Sequence, residues 1–439
     1  PLSDPGVNIL DPFTGTGTFV VNLIQDEELM PIDKLPLKYE SEIFCNEILL
    51  LAYYIATINI EHAFHSRVPG EYVPFEGAVL TDTFQMYEEG DPIDLGTFAD
   101  NTERILREME TPINVIVGNP PYSAGQKNEN DNAKNLAYPT LDEKIRSTYA
   151  ERSKATLKNA LYDSYIRAFR WASDRIGNRG IVSFVTNGGW LEGSSMDGFR
   201  KSLVDEFNSI YVFNLRGNAM GSGEERRKEK DNVFGAGTRT TVVVTLLVKN
   251  PASEEHGVIH YHDIGDYLTR DEKLTIVREN AQQERFGWDT LMPDRHGDWL
   301  NQRDDSWYEF APLGIEKKKE PRGIFDIWTS GIKTNRDTWA FNYSKHHLSQ
   351  NMHRMADTYN AEVDRWEASD KSIKLDDFVV SDDTQIKWSG DLKDHLKKGR
   401  KAHFDEQAIR LAIYRPFCAQ WVYSDPILNN RQYLVPQLF

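Results

Sequence analysis

The sequence of 439 residues is poor in cysteine, in long apolar runs and in positive charge, and each shortage excludes a class of protein. Two cysteines, Cys45 and Cys418, are too few for a disulfide framework or for a zinc site built on thiolates, so we expect a reducing, cytoplasmic setting. No stretch approaches the roughly 18 consecutive apolar residues of a membrane span, which predicts no membrane partner. The formal net charge of -17 argues against a surface that binds nucleic acid everywhere, although it leaves room for a local basic cleft.

The first motif is a glycine turn between a predicted strand and a predicted helix. Residues 11–19 read Asp-Pro-Phe-Thr-Gly-Thr-Gly-Thr-Phe, in which Gly15 and Gly17 let the backbone approach a ligand closely. The turn lacks the Gly-Lys-Ser/Thr ending of a phosphate-binding loop, and it has Val20 where a dinucleotide fingerprint needs its third glycine. The acidic residue at the strand end, Asp11, instead suits a ligand with cationic sulfonium and ammonium groups, as in S-adenosylmethionine.

The next two strands of the pattern also end in acidic residues. Glu47 follows the stretch 41–46, one strand-helix unit after the glycine turn, where an acidic residue can accept hydrogen bonds from ribose hydroxyls. It can equally be a carboxylate at the amino end of the following helix, stabilised by the helix macrodipole. Asp82 follows the strand 78–80, and we expect its carboxylate to accept from an adenine amino group while Phe84 packs on the ring.

A fourth strand over 114–117 delivers the tetrapeptide Asn119-Pro120-Pro121-Tyr122. Each proline fixes φ and lacks a backbone donor, so neither continues a ladder and their carbonyls stay free as acceptors. An amide, a carbonyl and an aromatic ring thus stand together at the carboxyl end of a strand, where open α/β sheets bind ligands. A turn that only closes the strand is the simpler interpretation. Four polar strand ends at one sheet edge favour a single site.

The later chain predicts three more strands and then a change of architecture. Strands over 180–186, 210–215 and 240–248 complete a set of seven that alternates with helices, as in a doubly wound α/β sheet. After the seventh strand the alternation stops, and tryptophans and charges become frequent. This change predicts one domain of residues 1–250 and a mixed α+β region over 251–439.

These motifs, taken in order, resemble the N6-adenine DNA methyltransferases of the gamma class: Asp11 to Gly17, Glu47, Asp82 and Asn119 to Tyr122. Two later segments are similar to parts of the Type ISP restriction-modification enzymes, namely 329–337 and 414–423. In those enzymes a nuclease and a helicase-like ATPase precede the methyltransferase. The resemblance implies a Rossmann-like, seven-stranded S-adenosylmethionine-dependent methyltransferase sheet, followed by a mixed α+β extension that leads into a DNA target-recognition domain.

The resemblance implies S-adenosyl-L-methionine as cofactor and double-stranded DNA with a specific target adenine as partner. The Asn119 side chain and the Pro120 carbonyl would accept the two N6 hydrogens, and Pro121 would help to hold these acceptors still. Tyr122 would stack on the flipped base. Phe234, in a glycine-rich charged segment, would either stack on the other face or tuck under its loop. No metal is required. The implied cofactor-binding residues are Asp11, Phe13, Thr14, Gly15, Gly17, Glu47, Asp82 and Phe84.

The sequence opens on Pro1 and closes on an apolar segment, so we expect an excerpt of a longer polypeptide that also carries nuclease and helicase-like domains. We expect the family's helical cofactor-binding motif, which precedes the glycine turn, to be absent from this excerpt. Two other functions stay open. The same tetrapeptide occurs in enzymes that methylate RNA or a protein glutamine amide, and a catalytically silent DNA-recognition module would fit the acidic surface.

Overall fold

The computed structural model describes residues 1–88, 99–122, 138–235, 238–280, 287–314, 323–325, 327–380 and 382–438. The chain forms two compact units, Pro1–Arg303 and Asp304–Phe439. Each unit has an apolar core of its own. Among the residues described, no helix is long and apolar enough to cross a membrane.

The first unit is built on one large sheet. Within the described chain this sheet has nine strands: β1 (Ile9–Asp11), β2 (Ile43–Glu47), β3 (Ala78–Leu80), β4 (Val115–Gly118), β5 (Gly180–Asn187), β6 (Ser209–Asn214), β7 (Val242–Lys249), β8 (Val258–Asp263) and β9 (Asp289–Leu291). Their order across the sheet is β3-β2-β1-β4-β5-β7-β6-β8-β9. Strands β1 to β5 run parallel, β7 is antiparallel to both β5 and β6, β8 is parallel to β6, and β9 is antiparallel to β8.

Helices connect these strands. They are α1 (Thr18–Gln25), α2 (Leu35–Leu37), α3 (Leu50–Arg67), α4 (Ala99–Glu110), α5 (Pro139–Ile145), α6 (Ser164–Arg175), α7 (Asp197–Glu206), α8 (Gly223–Glu229) and α9 (Arg270–Glu279). Short 3₁₀ turns lie at Gln85–Tyr87, Asn159–Tyr162, Gly188–Trp190 and Ser194–Met196, and π-helical turns at Lys38–Glu42 and Arg146–Ala150.

Successive residues of β1 show why helices cover both faces of the sheet. Side chains alternate along a strand, so the buried Ile9 and Leu10 point to opposite faces. Ile9 packs in a cluster with residues of α1 and α3, and Leu10 packs in a cluster with residues of α5, α6 and α7. Because both faces are buried, the strand is a short continuous apolar run, and a polar residue marks the place where it ends.

The order of the strands reverses between β1 and β4. From β1 the chain builds outward through β2 and β3, and it then returns to place β4 on the other side of β1. In open α/β sheets a crevice forms at such a reversal, outside the carboxyl ends of the strands, and ligands bind there. β1 ends at Asp11 and β4 ends at Gly118, directly before Asn119. The fold therefore brings two of the sequence motifs to the two sides of the reversal.

The predicted Rossmann-like, seven-stranded sheet is confirmed, with each strand within two residues of its expected bounds. The sheet also extends beyond the boundary expected after residue 250. β8 pairs with β6 along its whole length, β9 pairs with β8, and the compact unit ends at Arg303. These strands give little signal in the sequence, because β8 interleaves histidines with its apolar residues and β9 is only three residues long.

The second unit packs helices on a small antiparallel sheet, which is the mixed α+β architecture expected for this part of the chain. Its strands are β10 (Phe341–Asn342), β11 (Ile409–Arg415) and β12 (Cys418–Tyr423), with β12 in the middle. Its helices are α10 (Asp337–Ala340), α11 (Lys345–Glu367), α12 (Leu375–Phe378), α13 (Gly390–Lys397) and α14 (Val435–Leu438), with 3₁₀ turns at Asp305–Glu309 and Glu406–Ala408. One face of α11 forms much of the core, through apolar residues at helical spacing: Leu348, Met352, Met355, Tyr359, Val363 and Trp366.

Candidate active site

The glycine turn after β1 is held by hydrogen bonds to β2 and by close helix packing. The Thr14 amide donates to the Asn46 carbonyl at 3.0 Å, and the Thr14 hydroxyl donates to the Asp11 carbonyl at 2.9 Å. Gly17, the residue directly before α1, is in the left-handed conformation, with a φ of 86°. A Cβ on Gly17 would lie 3.3 Å from the Ile60 side chain of α3. Both the backbone conformation and the packing of α1 on α3 therefore favour glycine at this position.

Gly15 has a similar conformation but different surroundings. Its φ is also positive, at 57°. A Cβ on Gly15 would meet no atom within 4 Å, so the space beside this residue is open. Its amide donates to Glu47 Oε2 at 2.7 Å, which ties the turn to the end of β2. The glycine turn thus has a packed side at Gly17 and an open side at Gly15.

The carboxyl group of Asp11 is fully buried beneath the turn. Its Oδ1 accepts from the Phe13 amide at 3.1 Å, whereas Oδ2 has no hydrogen-bond partner within the described residues. Burial raises the pKa of Asp11 to about 7, against the lowering effect of the Phe13 amide and together with the nearby charge of Glu47. Asp11 is thus a buried acceptor with one unsatisfied oxygen, and a nearby cation would stabilise its ionised form.

Protein donors already engage the two acidic side chains predicted to bind the nucleoside. Glu47 accepts from the Gly15 amide at 2.7 Å and from the Leu49 amide at 2.8 Å, so it joins the glycine turn to the start of α3. Asp82 accepts from the Tyr138 hydroxyl at 2.8 Å and from a backbone amide of its own turn. A carboxylate offers about four lone-pair positions, so each group keeps capacity for a ligand hydroxyl or amine.

Two of the predicted site residues are phenylalanines that contact each other edge to face. Phe84 packs against Phe13 with ring centroids 5.5 Å apart and against Tyr138 with centroids 5.3 Å apart. Phe84 is only 5% exposed, so it has little surface to offer a ligand directly. Phe13 is partly exposed and is the more accessible ring at this edge.

The end of β4 brings the tetrapeptide beside Asp11. A Cβ on Gly118 would lie 3.1 Å from Asp11 Oδ1, so the ends of β4 and β1 are in close contact. Asn119 is exposed, Pro120 is buried and Pro121 is exposed. No described residue donates a hydrogen bond to the Pro120 carbonyl. An exposed amide side chain and a carbonyl without a described donor therefore lie next to each other at this strand end.

Tyr122 is fixed at the same edge by its hydroxyl. Tyr122 Oη lies 2.6 Å from Asn119 Oδ1 and 2.9 Å from the carbonyl oxygen of Val185 on β5. A single hydroxyl proton serves one of these acceptors at a time. Burial raises the pKa of Tyr122 well above its ordinary value, so the hydroxyl stays protonated and acts as a donor. The ring meets Tyr165 edge-on, with centroids 6.2 Å apart.

Phe234 lies in a turn shortly before β7. Its amide donates to Asn232 Oδ1 at 2.9 Å, and its side chain is 48% exposed. The ring is therefore not tucked under the loop, which was one of the two expectations. The other expectation, that it stacks on a base opposite Tyr122, stays a prediction.

Residues that the sequence did not single out complete this edge. The Thr83 hydroxyl donates to the Pro12 carbonyl at 2.6 Å and so ties the end of β3 to the end of β1. Behind the turn, the buried Asn46 donates to Glu108 Oε1 at 3.1 Å, and burial raises the pKa of Glu108 to about 7. Thr83 lies next to Asp82, a predicted site residue, so the sequence could have indicated that Thr83 belongs to this edge. Tyr138, whose hydroxyl donates to Asp82 after β3, follows a polar stretch without periodicity. No sequence pattern pointed to Tyr138.

The arrangement suits a ligand that combines a cationic group with hydroxyl or amine donors. Asp11 has no exposed surface, so its buried carboxylate can attract a nearby cation without contacting it. Gly15 offers open space, and Glu47 and Asp82 offer acceptors at the neighbouring strand ends. None of these groups is basic, so the set does not favour phosphate. In the described ranges, no group of three or more His, Cys, Asp and Glu side chains is placed to hold a metal ion.

Two protein families match the chain. Residues 80–220 match the Eco57I restriction-modification methylase, a range that includes Asp82 and the tetrapeptide from Asn119 to Tyr122. Residues 323–439 match the Type ISP C-terminal specificity domain, a range that includes both later segments, 329–337 and 414–423. These matches confirm the resemblance to a restriction-modification methylase and to the Type ISP enzymes.

Three solved structures are similar over nearly the whole chain. A nuclease-deletion mutant of the Type ISP restriction-modification enzyme LlaGI, in complex with a DNA substrate mimic, is 44% identical with a TM-score of 0.90, and the match covers 98% of this chain and 35% of that one. The ATP-dependent Type ISP restriction-modification enzyme LlaBIII, bound to DNA, is 38% identical with a TM-score of 0.85, with 99% and 28% covered. DrdV, in a complex with DNA, is 35% identical with a TM-score of 0.86, with 99% and 42% covered. The chain thus spans less than half the length of each of these proteins.

Proposed function

The chain comprises the methylase region and the C-terminal specificity domain of a Type ISP restriction-modification enzyme, and on this premise we propose that it is a site-specific DNA adenine N6-methyltransferase. The proposed reaction transfers the methyl group of S-adenosylmethionine to N6 of an adenine flipped out of double-stranded DNA. The observation that carries the proposal is the close approach of Gly118, the residue directly before Asn119, to Asp11, at the two strand ends that flank the reversal of strand order.

S-adenosyl-L-methionine supplies a methyl group on a cationic sulfonium. On the protein side, the unsatisfied oxygen of Asp11 favours a cation, and the open side of the turn at Gly15 permits close approach. Glu47 and Asp82 keep acceptor capacity for ribose hydroxyls and an adenine amine. The remaining residues of the cofactor set shape the turn or support its aromatic side: Phe13, Thr14, Gly17 and Phe84.

The amino group of adenine is a weak nucleophile because its lone pair is delocalised into the ring. The oxygen of Asn119 has two lone pairs, and Tyr122 engages at most one of them. The second lone pair and the Pro120 carbonyl can each accept an N6 hydrogen. The nitrogen can then become pyramidal, and these fixed dipoles stabilise the positive charge that develops on it. Pro121 contributes by adding no competing backbone donor.

Reaching N6 requires the base to leave the stack, at a cost of about a few kcal/mol. Stacking on an aromatic side chain is worth about 1–3 kcal/mol per base and offsets that cost. Tyr122 lies at the same strand end as Asn119 and is the proposed stacking residue. We propose Phe234 for the opposite face of the base because its ring is half-exposed ahead of β7.

We further propose that the chain acts as part of a longer, cytoplasmic polypeptide that carries a nuclease and a helicase-like ATPase. The support is that the three similar structures are longer proteins and were solved in complexes with DNA or a DNA mimic. Cys45 and Cys418 are both free, which suits a reducing compartment.

A methyltransferase that acts on RNA or on a protein glutamine amide would use the same tetrapeptide. The specificity-domain match over 323–439 favours DNA over both substrates. A catalytically silent recognition module would need neither the exposed amide of Asn119 nor an adjacent carbonyl without a described donor. The specificity-domain match therefore disfavours an RNA or protein substrate, and the site geometry disfavours a silent module.

The test compares two asparagine variants at the opposite ends of β4. Asn119→Ala should lose transfer of a tritiated methyl group to duplex DNA by at least about a hundredfold, because it removes a dipole that stabilises the transition state. Asn114→Ala is the matched control, since Asn114 Oδ1 only accepts the Asn8 amide at 2.8 Å, far along the strand from the tetrapeptide. Both variants should keep wild-type affinity for S-adenosylmethionine, measured by calorimetry.

The identity of the methylated product distinguishes the substrate classes. Labelled N6-methyladenine should appear in digests of DNA and not in digests of RNA or protein offered in the same reaction. Full activity of Asn119→Ala would refute the mechanism. Label recovered in RNA or in glutamine would replace DNA with that substrate.

A further inference from the structure

Two sequence segments of the second unit meet beside one cleft. The Tyr414 hydroxyl, from β11, donates to Asp337 Oδ2 at 3.2 Å, and the other oxygen of Asp337 accepts from the Thr334 hydroxyl. Residues of both segments border a cleft of about 1000 Å³, with Arg410 and Gln432 also on its wall. The segments 329–337 and 414–423, which the methyl-transfer site does not use, therefore build a common surface.

The β11–β12 hairpin, whose strands border this cleft, ends in a tight turn. Arg415 pairs with Cys418, so Pro416 and Phe417 form the turn between the strands, and a bulge lies between Ile413 and Arg415. The Phe417 side chain is fully exposed. Its backbone is in the left-handed region, with a φ of 62°. The hairpin thus presents a phenyl ring to solvent at the end of two paired strands.

The conformation of Phe417 is costly. A positive φ after a proline is a feature of turns in which glycine is preferred, because any Cβ is crowded in that region. A bulky residue with a positive φ destabilises the folded state. Burial of the ring does not offset the cost, since Phe417 is fully exposed. Folding alone therefore gives no reason for a phenylalanine at this turn, and a contact with a partner does.

The charges around the hairpin suit a polyanion. Arg410 and Arg415 are exposed on β11, and the sequence has no acidic residue between Glu406 and Asp425. The Arg415 guanidinium lies over the Tyr414 ring at 5.3 Å, next to the turn. The acidic side chain of the cleft wall, Asp337, is engaged by two hydroxyl donors.

We propose that the Pro416–Phe417 turn is a wedge that inserts between base pairs of duplex DNA, with Arg415 beside the turn and Arg410 farther back along β11 contacting the backbone phosphates. Apolar side chains of this kind, flanked by basic residues, unstack a base step and kink the duplex. Easily deformed pyrimidine–purine steps are the preferred point of entry. This inference rests on the proposed function, because it names how the specificity domain engages the DNA.

The experiment starts from a pool of duplexes with a randomised central segment. Duplexes retained by the wild-type chain are sequenced. The enriched duplex is then labelled with a donor fluorophore at one end and an acceptor fluorophore at the other, so that energy transfer between them reports the bend. Phe417→Gly should unfold at a temperature equal to or above that of wild type, because it relieves the positive φ of Phe417. It should nevertheless bind the enriched duplex about tenfold more weakly, given the worth of one stacking contact, and should leave it straighter.

Two further variants separate the wedge from a general loss of apolar surface. Phe417→Leu should restore most of the affinity and the bend, since leucine also acts as a wedge in DNA-bending proteins. Phe310→Gly removes another exposed ring of the same unit, and it should bind and bend the duplex as wild type does.

The outcomes distinguish the wedge from the proposed function. Wild-type binding and bending by Phe417→Gly would overturn the wedge and leave DNA recognition intact. A wild-type chain that retains no duplex would overturn both. A change in the sedimentation coefficient of Phe417→Gly without a change in DNA binding would assign the turn to a protein contact and also overturn the proposal.

Discussion

The residue that most constrains the chemistry of the site is a carboxyl group that water cannot reach. Asp11 has no exposed surface, and its Oδ2 has no hydrogen-bond partner in the described parts of the chain. Burying an ionised carboxylate without a partner costs several kcal/mol, and a pKa of about 7 keeps the group protonated below neutral pH. Such a group destabilises the folded state near neutral pH, but it would favour the binding of a cationic ligand.

Asp11→Asn should stabilise the protein near pH 8 more than near pH 5. The native pKa of about 7 lies above the ordinary 3.8, so in the window between them the native state holds a proton that the unfolded chain has released. The wild-type free energy of unfolding therefore falls as the pH rises through that window and is level above it. Each pKa unit corresponds to about 1.4 kcal/mol, so the gain of the variant between the two pH values should reach about a few kcal/mol in urea unfolding.

Glu108→Gln provides the matched control for this variant. Glu108 is also fully buried with a pKa of about 7, so it should show a similar pH-dependent stabilisation. If Asp11 serves the cofactor, wild-type affinity for S-adenosylmethionine should rise as the pH passes through about 7, and Glu108→Gln should keep that rise. In Asp11→Asn the affinity should be weak and independent of pH. A wild-type affinity that does not change with pH would remove Asp11 from the proposed role.

At the scale of elements, the glycine turn makes a prediction that depends on the helix behind it. Gly15 and Gly17 both have positive φ, but only at Gly17 would an added Cβ meet atoms of α3 within 3.4 Å. Alanine at either position incurs the left-handed penalty of about 1–2 kcal/mol. Gly17→Ala must also push α1 away from Ile60, so it should destabilise the protein by at least about 1 kcal/mol more than Gly15→Ala in denaturant unfolding. Equal losses of unfolding free energy in the two variants would mean that α1 and α3 accommodate the added Cβ of Gly17→Ala without a loss of stability.

The strands that carry the site were predictable because their physics is local. A parallel strand buried on both faces is an apolar run, and a polar residue marks its end, either as its last residue, as with Asp11 and Glu47, or directly after it, as with Asn119. The fixed direction of parallel strands then places these ends at one edge. The contact of Tyr122 with Asn119 was not predictable, since it depends on rotamers and on the Val185 carbonyl, 63 residues away.

At the scale of the whole molecule, the limit between the two units depends on contacts that the sequence does not display. The expected boundary after residue 250 followed the loss of strand–helix alternation. The structure keeps Pro1–Arg303 together, because β8 and β9 extend the sheet and because Arg200 is completely buried against Asp298 at 2.6 Å. Arg200 also donates to the carbonyls of Trp190, Gly193 and Gly297. A long-range ion pair of this kind leaves no trace in the local pattern.

These contacts predict different fates for two truncations, one ending at residue 303 and one at residue 251. The longer fragment keeps the whole sheet and the partner of Arg200, so it should unfold cooperatively and bind S-adenosylmethionine as the full chain does. The shorter fragment loses β8, β9 and Asp298, and it leaves a buried guanidinium unpaired, which costs about 3–5 kcal/mol before the exposed sheet edge is counted. It should therefore be aggregated or lack a cooperative transition by circular dichroism. A fragment ending at residue 251 that is as stable as the longer one would restore the boundary after residue 250, because the extra strands would then be an addition to a complete domain.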